Sequence, residues 1–306
     1  MTGSGSVKFK RAAFLGMGLI GSSLARVMKR DGLVDHIIAC ARSGETRETA
    51  LKLGIADSVT DEPKVAVSGA DLVLLCTPVG AYQDLIKKIS ANLYPDTIVT
   101  DVGSVKQHVI SSIRPYLPEF VHFVPGHPIA GTENSGPAAG FDTLFENRWV
   151  VLTPEPETEP AAIKKVASLW RQAGARIEIM DAIHHDKVLA ITSHVPHLIA
   201  YTIVGTANDL EDQLKGEVVK FAASGFRDFT RIAASDPIMW RDIFLNNQEA
   251  VLEMLGRLTE DISVLQRCIR DADGKKMEAL FTRTREIRRS VIEAGQHIPP
   301  SPKDSY

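Results

Sequence analysis

The residues best suited to chemistry begin with a glycine-spaced turn, Gly16-Met17-Gly18-Leu19-Ile20-Gly21. It follows an apolar strand-like run directly and opens a helical pattern. In that context each glycine has a task. Gly16 permits a tight turn, Gly18 lets the backbone approach a pyrophosphate, and Gly21 allows close helix–strand packing. Leu19 and Ile20 form the first turn of the helix, whose positive end receives the phosphates. The spacing therefore predicts a dinucleotide site.

The end of the second strand distinguishes NAD from NADP. An acidic residue there would accept the adenosine ribose hydroxyls and repel a 2′-phosphate. Here the place is taken by Ala41, followed by Arg42 and Ser43. A guanidinium and a hydroxyl without a carboxylate suit the 2′-phosphate, so NADP is preferred. The alternative is NAD with Arg42 stacked on its adenine. Cys76-Thr77-Pro78 and Asp101-Val102-Gly103-Ser104 each follow an apolar strand. Ligands of open α/β sheets bind beyond the carboxyl ends of strands, so both turns are expected to line the nicotinamide half of the crevice.

An alcohol dehydrogenase needs a base for the hydroxyl proton. His127 also follows a strand end, in a predicted loop between turn residues. That position favours function over a structural histidine. His194 and His197 are three apart and share a helical face with Tyr201. Pro196 between them removes a backbone donor, so a kink is expected. A metal pair is the weaker reading of these histidines, because hydride transfer needs no Lewis acid.

Around these residues, positions 10–180 alternate short Val/Ile/Leu-rich runs with amphipathic stretches such as 19–30 and 83–91. This is the signature of βαβ units and a mostly parallel sheet. From 181 to 295 strand-like runs vanish and helix formers dominate. Asp236-Pro237 reads as an N-cap and first helical residue. Positions 239–269 carry apolar residues at helical spacing, and Asp273-Gly274 marks a break before a last helix. The expected organisation is a short N-terminus (1–9), a Rossmann α/β domain (10–180), an all-α substrate and dimerisation domain (181–295) and a loose tail (296–306). The long amphipathic helices call for a partner surface, and a homodimer is expected.

Composition excludes several classes. Of 306 residues, 44% are hydrophobic and 24% charged, and the formal charge is −3. That balance suits a globular enzyme and offers no electrostatic reason for nucleic acid or an anionic membrane as partner. Cys40, Cys76 and Cys268 are far apart and odd in number, which points to reduced thiols in a cytoplasm. No signal peptide is visible at the N-terminus. The most apolar segment, 188–204, is interrupted by His194, Pro196 and His197, so no membrane span is expected.

Four motifs in order after the GxGxxG turn carry a family resemblance: DVGSVK (101–106), GHPIAGTE (126–133), TSHVPH (192–197) and GFRDFTRIAASDPIMWRDI (225–243). Together they resemble the prephenate/arogenate (cyclohexadienyl) dehydrogenase family of tyrosine biosynthesis, over nearly the whole chain. The resemblance implies oxidative decarboxylation of a cyclohexadienol carboxylate with NAD(P)⁺. Hydride leaves the ring carbon bearing the hydroxyl, a histidine takes the hydroxyl proton, and CO₂ leaves as the ring becomes aromatic. By motif, His127 resembles the catalytic histidine and Ser104 the serine that hydrogen-bonds the hydroxyl and helps orient it. Arg231 resembles the arginine that grips the ring carboxylate, and His197 another substrate-pocket residue.

The substrate's anionic charge agrees with a fixed guanidinium in the pocket. Arg227, Asp228 and Trp240 are read as its outer wall. Thr132 and Glu133 are read as side-chain contacts that form part of a gate. The lengths outside the two domains leave no room for a fused mutase or a regulatory module, so a monofunctional enzyme is expected, with tyrosine acting, if at all, as a competitive inhibitor. Two rival readings fit the residues less well. A β-hydroxyacid dehydrogenase needs an asparagine four residues after its lysine, yet Lys187 is followed there by Ile191. A redox sensor that merely holds NADP would not need histidine, serine and arginine to converge.

Overall fold

The computed structural model describes residues 7–132, 134–209 and 224–293. The chain divides into two compact units, residues 1–248 and 249–306. In the first, β1 (Phe9–Leu15), β2 (Val34–Cys40), β3 (Ser58–Thr60), β4 (Leu72–Leu75), β5 (Ile98–Asp101) and β6 (His122–Val124) form one sheet. The order is β3-β2-β1-β4-β5-β6, and every pairing is parallel. All residues of β4 and β5 are buried, which is why their sequences read as continuous apolar runs rather than alternating ones. Helices α1 (Leu19–Arg30), α2 (Gly44–Lys52), α3 (Pro63–Val67), α4 (Tyr82–Ile89) and α5 (Gln107–Ile113) follow β1 to β5 in turn. Two apolar clusters form the core, one centred on Phe14, Leu24 and Trp170, the other on Leu75, Tyr82 and Phe123. The strand order reverses between β1 and β4, and that switch point is where such sheets bind ligands.

The run VHFVPGHPI does not form one strand. It passes from β6 into β7 (Gly126–Pro128), which belongs to a second sheet with β8 (Trp149–Leu152) and β9 (Arg176–Ile179). Pro125 carries no N–H for the ladder and marks the transfer. β7 pairs antiparallel with β8, setting His127 opposite Val151. The loop expected around His127 is thus a short strand, and a strand fixes a side chain's direction more firmly than a loop does. After β8 and α6 (Pro160–Gln172), β9 completes this sheet parallel to β8.

The helical half begins with α7 (Ala182–Leu189), a π-helical turn (Ala190–His194) and α8 (Val195–Asn208). The disturbance expected at Pro196 takes the form of this π turn just before it. Widening the ladder by one residue accommodates the missing N–H and the clash of the proline ring with a preceding carbonyl. The helical path therefore continues, and the segment Ala182–Asn208, 27 residues, is long and apolar enough to cross a membrane by length and composition. The expected interruption at His194, Pro196 and His197 does not break the helical path. Its polar residues argue for a protein environment, because His185, Asp186 and His194 are wholly buried and hydrogen-bonded.

Further on lie α9 (Ser224–Thr230), a 3₁₀ turn (Arg231–Ala234), α10 (Pro237–Asn246), α11 (Gln248–Arg270) and α12 (Gly274–Glu293). The Asp236 side chain caps α10, accepting the N–H groups of Ile238 and Met239 at 2.8 and 2.9 Å. The helical spacing over 239–269 is interrupted at Asn247. Its backbone leaves the helical region (φ −125°, ψ 37°) because its buried amide turns inward to the Asp186 carbonyl, at 2.9 Å.

Candidate active site

The glycine turn has the shape a dinucleotide needs. Gly16 has φ +101°, and a Cβ there would sit 2.6 Å from the Cys76 carbonyl carbon and oxygen. A Cβ on Gly18 would meet nothing within 4 Å, which leaves open space where a pyrophosphate would approach. A Cβ on Gly21 would be 3.0 Å from the Gly16 oxygen and 3.3 Å from Cys76 Cβ, so the packing of α1 on the end of β4 depends on glycine. Helix α1 has no side-chain cap and no acidic residue in its first turn. Its first N–H groups, those of Leu19 and Ile20, are left for an anion. Thr77, directly after Cys76 and before Pro78, has a buried Oγ1 without a hydrogen-bond partner among the described residues. An open cradle, an uncapped helix start and an orphaned hydroxyl together fit a nicotinamide dinucleotide.

At the end of β2, Arg42 and Ser43 are exposed. Ser43 Oγ caps α2 through the Thr46 N–H at 3.3 Å. Arg47 shapes this turn, donating to the carbonyls of Ala41 and Arg42 at 2.6 and 2.9 Å, while its other nitrogen lies 3.6 Å from Asp61. Sequence reading did not single out Arg47.

Asp101 has a different place from the one expected. Its side chain is fully buried, so it offers the crevice no accessible atom. Oδ2 pairs with Lys106 Nζ at 2.5 Å and accepts the Gly103 N–H at 2.8 Å. Oδ1 accepts the Gly126 N–H at 3.1 Å, and Lys106 Nζ also donates to the Gly126 carbonyl at 2.6 Å. The pair thus ties the turn after β5 to the residue preceding His127. Burial draws both groups toward their neutral forms, and their mutual contact opposes it.

His127 is 7% exposed. Its strand is pinned to β8 at both ends, by Ile129 N–H to the Trp149 carbonyl at 2.8 Å and Thr153 N–H to the Pro125 carbonyl at 3.0 Å. Its Nδ1 lies 2.9 Å from His185 Nε2, and His185 Nδ1 lies 2.8 Å from Asp186 Oδ1. Asp186 Oδ1 also accepts the Lys106 N–H at 2.8 Å, and Oδ2 the Gln107 N–H at 2.9 Å. Burial holds the His127 pKa well below the usual imidazole range, helped by His185, Lys106 and His194. Burial opposes ionisation of Asp186, but the hydrogen bonds from His185 and the Gln107 N–H outweigh it, and its pKa is lowered. Ser104, expected to help orient His127, is half-buried, and its hydroxyl makes no hydrogen bond among the described residues. His185, Asp186 and Lys106 went unnoticed as site residues, although the polar triplet His184-His185-Asp186 at the head of an apolar helix was a visible signal.

The remaining expected residues divide into two groups. His194 is wholly buried; its Nδ1 lies 3.1 Å from the Asn247 amide nitrogen, and burial lowers its pKa to about 4. With no exposed surface it offers a substrate no atom to touch, which corrects its reading as a substrate contact. His197 stacks on Trp240, with ring centroids 3.6 Å apart, and donates from Nδ1 to the Ser193 carbonyl at 2.9 Å. Its pKa is lowered by burial and by the neighbouring charge of Arg231. The 3₁₀ turn carrying Arg231 is tied to α8 by the Tyr201 hydroxyl, which donates to the Ser235 carbonyl at 2.7 Å. Arg231 itself is exposed. Arg227 and Asp228 form a surface pair at 3.6 Å with side chains 74% exposed, of little energetic weight. Thr132 is exposed and accepts the Asn134 N–H at 3.2 Å. Glu133 lies outside the described residues.

Residues 24–179 match the nucleotide-binding domain of prephenate dehydrogenase, and residues 181–283 its dimerization domain. The chain is 41% identical to the cyclohexadienyl dehydrogenase of Zymomonas mobilis over 92% of its length and 95% of that protein's. It is 35% identical to the prephenate dehydrogenase of Bacillus subtilis over 89% of this chain and 74% of the relative. The crystal structure of A. aeolicus prephenate dehydrogenase with hydroxyphenyl propionate and NAD⁺ superimposes with a TM-score of 0.85 at 35% identity, covering 94% of this chain and all of that one. A Rossmann sheet, a buried histidine beyond its carboxyl edge and a helical half thus coincide with both halves of one enzyme, and the chain belongs to the prephenate dehydrogenase family.

Proposed function

We propose that the chain oxidatively decarboxylates prephenate, arogenate or both with NAD(P)⁺, giving 4-hydroxyphenylpyruvate or tyrosine. The observation that carries this is His127, held rigidly on β7 next to the turn after β5, with a second histidine and a carboxylate behind it. The dinucleotide, when bound on the Gly16–Gly21 turn, accepts the hydride. His127 takes the hydroxyl proton as the ring carbon is oxidised. Loss of the ring carboxylate as CO₂ then leaves its electron pair in the ring, which becomes aromatic, and the oxygen regains a proton as the phenol.

Ser104 hydrogen-bonds the hydroxyl, and Arg231 holds the ring carboxylate. His197 and Trp240 form the wall beside Arg231, with Arg227 further out and Thr132 nearer the substrate's side chain. The exposure of Arg231 in a single chain supports a contact at an open rim. The functional organisation is a dinucleotide-binding part over 10–180 and a helical substrate and dimerisation part over 181–295. Exposed Leu252, Ile262, Ile269, Phe281 and Ile287 on α11 and α12 support a homodimer. Three free cysteines suit a cytoplasmic enzyme. Tyrosine, if it inhibits, competes in the same pocket.

Arg42 and Ser43 favour NADP⁺ over the NAD⁺ held by the A. aeolicus structure. The test is formation of reduced cofactor with each substrate and each dinucleotide. Turnover with prephenate or arogenate is expected, and none with any combination by a protein that binds dinucleotide refutes the reading. Arg42→Ala should weaken NADP⁺ much more than NAD⁺; equal losses would mean adenine stacking.

A further inference from the structure

We infer that His185 and Asp186 are positioning residues that fix the proton of His127 on Nδ1, leave its Nε2 as the base, and stabilise the imidazolium formed in the reaction. The inference rests on the reading of His127 as the base.

The hydrogen-bond inventory admits one proton arrangement for an ionised Asp186. Its carboxylate faces the backbone N–H groups of Lys106 and Gln107, the Gln107 amide and His185 Nδ1. The two backbone groups can only donate, and a carboxylate only accepts, so His185 Nδ1 carries the proton. A neutral His185 then has a lone pair on Nε2, 2.9 Å from His127 Nδ1. That contact is a hydrogen bond only if His127 donates from Nδ1. Its Nε2 is therefore unprotonated and free to take a proton.

When that proton arrives, the positive charge on His127 is one ring away from a fixed carboxylate. Among the described residues, the other charged or titratable groups packed around the chain are Lys106 and Asp101 from the turn after β5, whose charges offset each other, His108 from α5 and His194 from the π turn. Asp186 is thus the uncompensated negative charge nearest the developing cation. The backbone holds it there: the Lys106 and Gln107 N–H groups grip it from the start of α5, and Asn247 holds its carbonyl at 2.9 Å. Fixing the correct tautomer is the largest part of what a buried carboxylate does behind a catalytic histidine, and its amide replacement in a Ser-His-Asp triad lowers kcat by about 10⁴-fold.

The test uses the full-length enzyme with Asp186→Asn, His185→Gln and His185→Leu, each beside His127→Asn. Asp186→Asn is expected to lower kcat by about 10²–10⁴-fold, with the dinucleotide's Kd nearly unchanged. His185→Gln keeps an oxygen to accept from His127 Nδ1–H, so it should recover at least about tenfold of the kcat lost in His185→Leu, about 1.4 kcal/mol of barrier. A purely structural role would not separate Gln from Leu in kcat at equal Kd. Long-range ¹H–¹⁵N spectra of ¹⁵N-histidine-labelled enzyme should show His127 protonated on Nδ1 in the wild type and on Nε2 in Asp186→Asn. If Asp186→Asn does not fold, the His185 pair and the wild-type spectrum decide. Wild-type turnover in His185→Leu, no advantage of Gln over Leu, or a wild-type His127 protonated on Nε2 would overturn the inference. Full activity in His127→Asn would instead remove the base itself, so the two failures are distinguishable.

Discussion

His197 and Trp240 stack face to face, their ring planes 22° apart and centroids separated by 3.6 Å. Trp240 is 6% exposed and also touches Phe244 and the edge of His194. One indole therefore sets the poses of two histidines on the π turn and α8. Trp240→Ala should destabilise the protein by about 3–5 kcal/mol and raise KM for the cyclohexadienol. Trp240→Phe keeps an aromatic face for His197 and should restore most of both. Denaturant melts and steady-state kinetics of the two variants check this. Similar kinetics for Ala and wild type would mean the stack is only core packing.

The buried Asp101–Lys106 pair makes a stability prediction. Lys106→Met leaves Asp101 uncompensated in an interior with no exposed surface. Breaking such a pair typically costs about 3–5 kcal/mol. The double variant Asp101→Leu/Lys106→Met should recover part of the loss, because no lone charge remains. Chemical denaturation measures both, and a double variant less stable than the sum of the singles would contradict the argument.

Gly18 and Gly16 should respond oppositely to alanine. Gly18 has an extended backbone and open space for a Cβ, so Gly18→Ala should keep its melting temperature. It should weaken dinucleotide binding at least about tenfold, or roughly 1.4 kcal/mol, because the methyl occupies the cofactor's approach. Gly16→Ala should destabilise the fold itself, from its positive φ and the 2.6 Å approach to Cys76. Thermal melts with and without NAD(P)⁺ separate the two. A Gly18→Ala variant with unchanged cofactor affinity would move the pyrophosphate elsewhere.

The buried histidines predict how stability depends on pH. His127, His185 and His194 all have folded pKa values below the ordinary 6.5, burial being the main cause. Above pH 6.5 both folded and unfolded states hold these rings neutral, and their contribution is fully present. As pH falls below the unfolded value the unfolded chain takes up protons first, so stability drops. For His194, with a folded pKa of about 4, the loss between about pH 6.5 and 4 is on the order of 3 kcal/mol. Denaturation midpoints measured from pH 8 to 5 should fall monotonically, and His194→Gln should flatten the lower part of the curve.

Much of this site was legible in residue type and spacing. The Gly16–Gly21 turn, the parallel sheet and the helical second half follow from hydrophobic periodicity and local backbone demands, which act over a few residues. Pro196 signalled its irregularity in the same way. The support behind His127 was not legible as such, because it is built from contacts 58 to 80 residues apart in sequence; the polar triplet His184-His185-Asp186 stands out locally but does not say what it faces. Asp101 misled for a related reason. A carboxylate at a strand's end reads as a ligand contact until Lys106, five residues on, is seen to fold back onto it. Likewise Asn247 looked like one position in a long amphipathic stretch, and only its tertiary bonds to Asp186 and His194 explain the break there.

The most direct test of the account is the turnover of His127→Asn with the preferred cyclohexadienol and dinucleotide at saturation. The amide retains a polar side chain of similar size without a base. The account predicts kcat lower by about 10²–10⁴-fold with the dinucleotide's Kd and the melting temperature close to wild type. A variant that binds dinucleotide and turns over at the wild-type rate would contradict it.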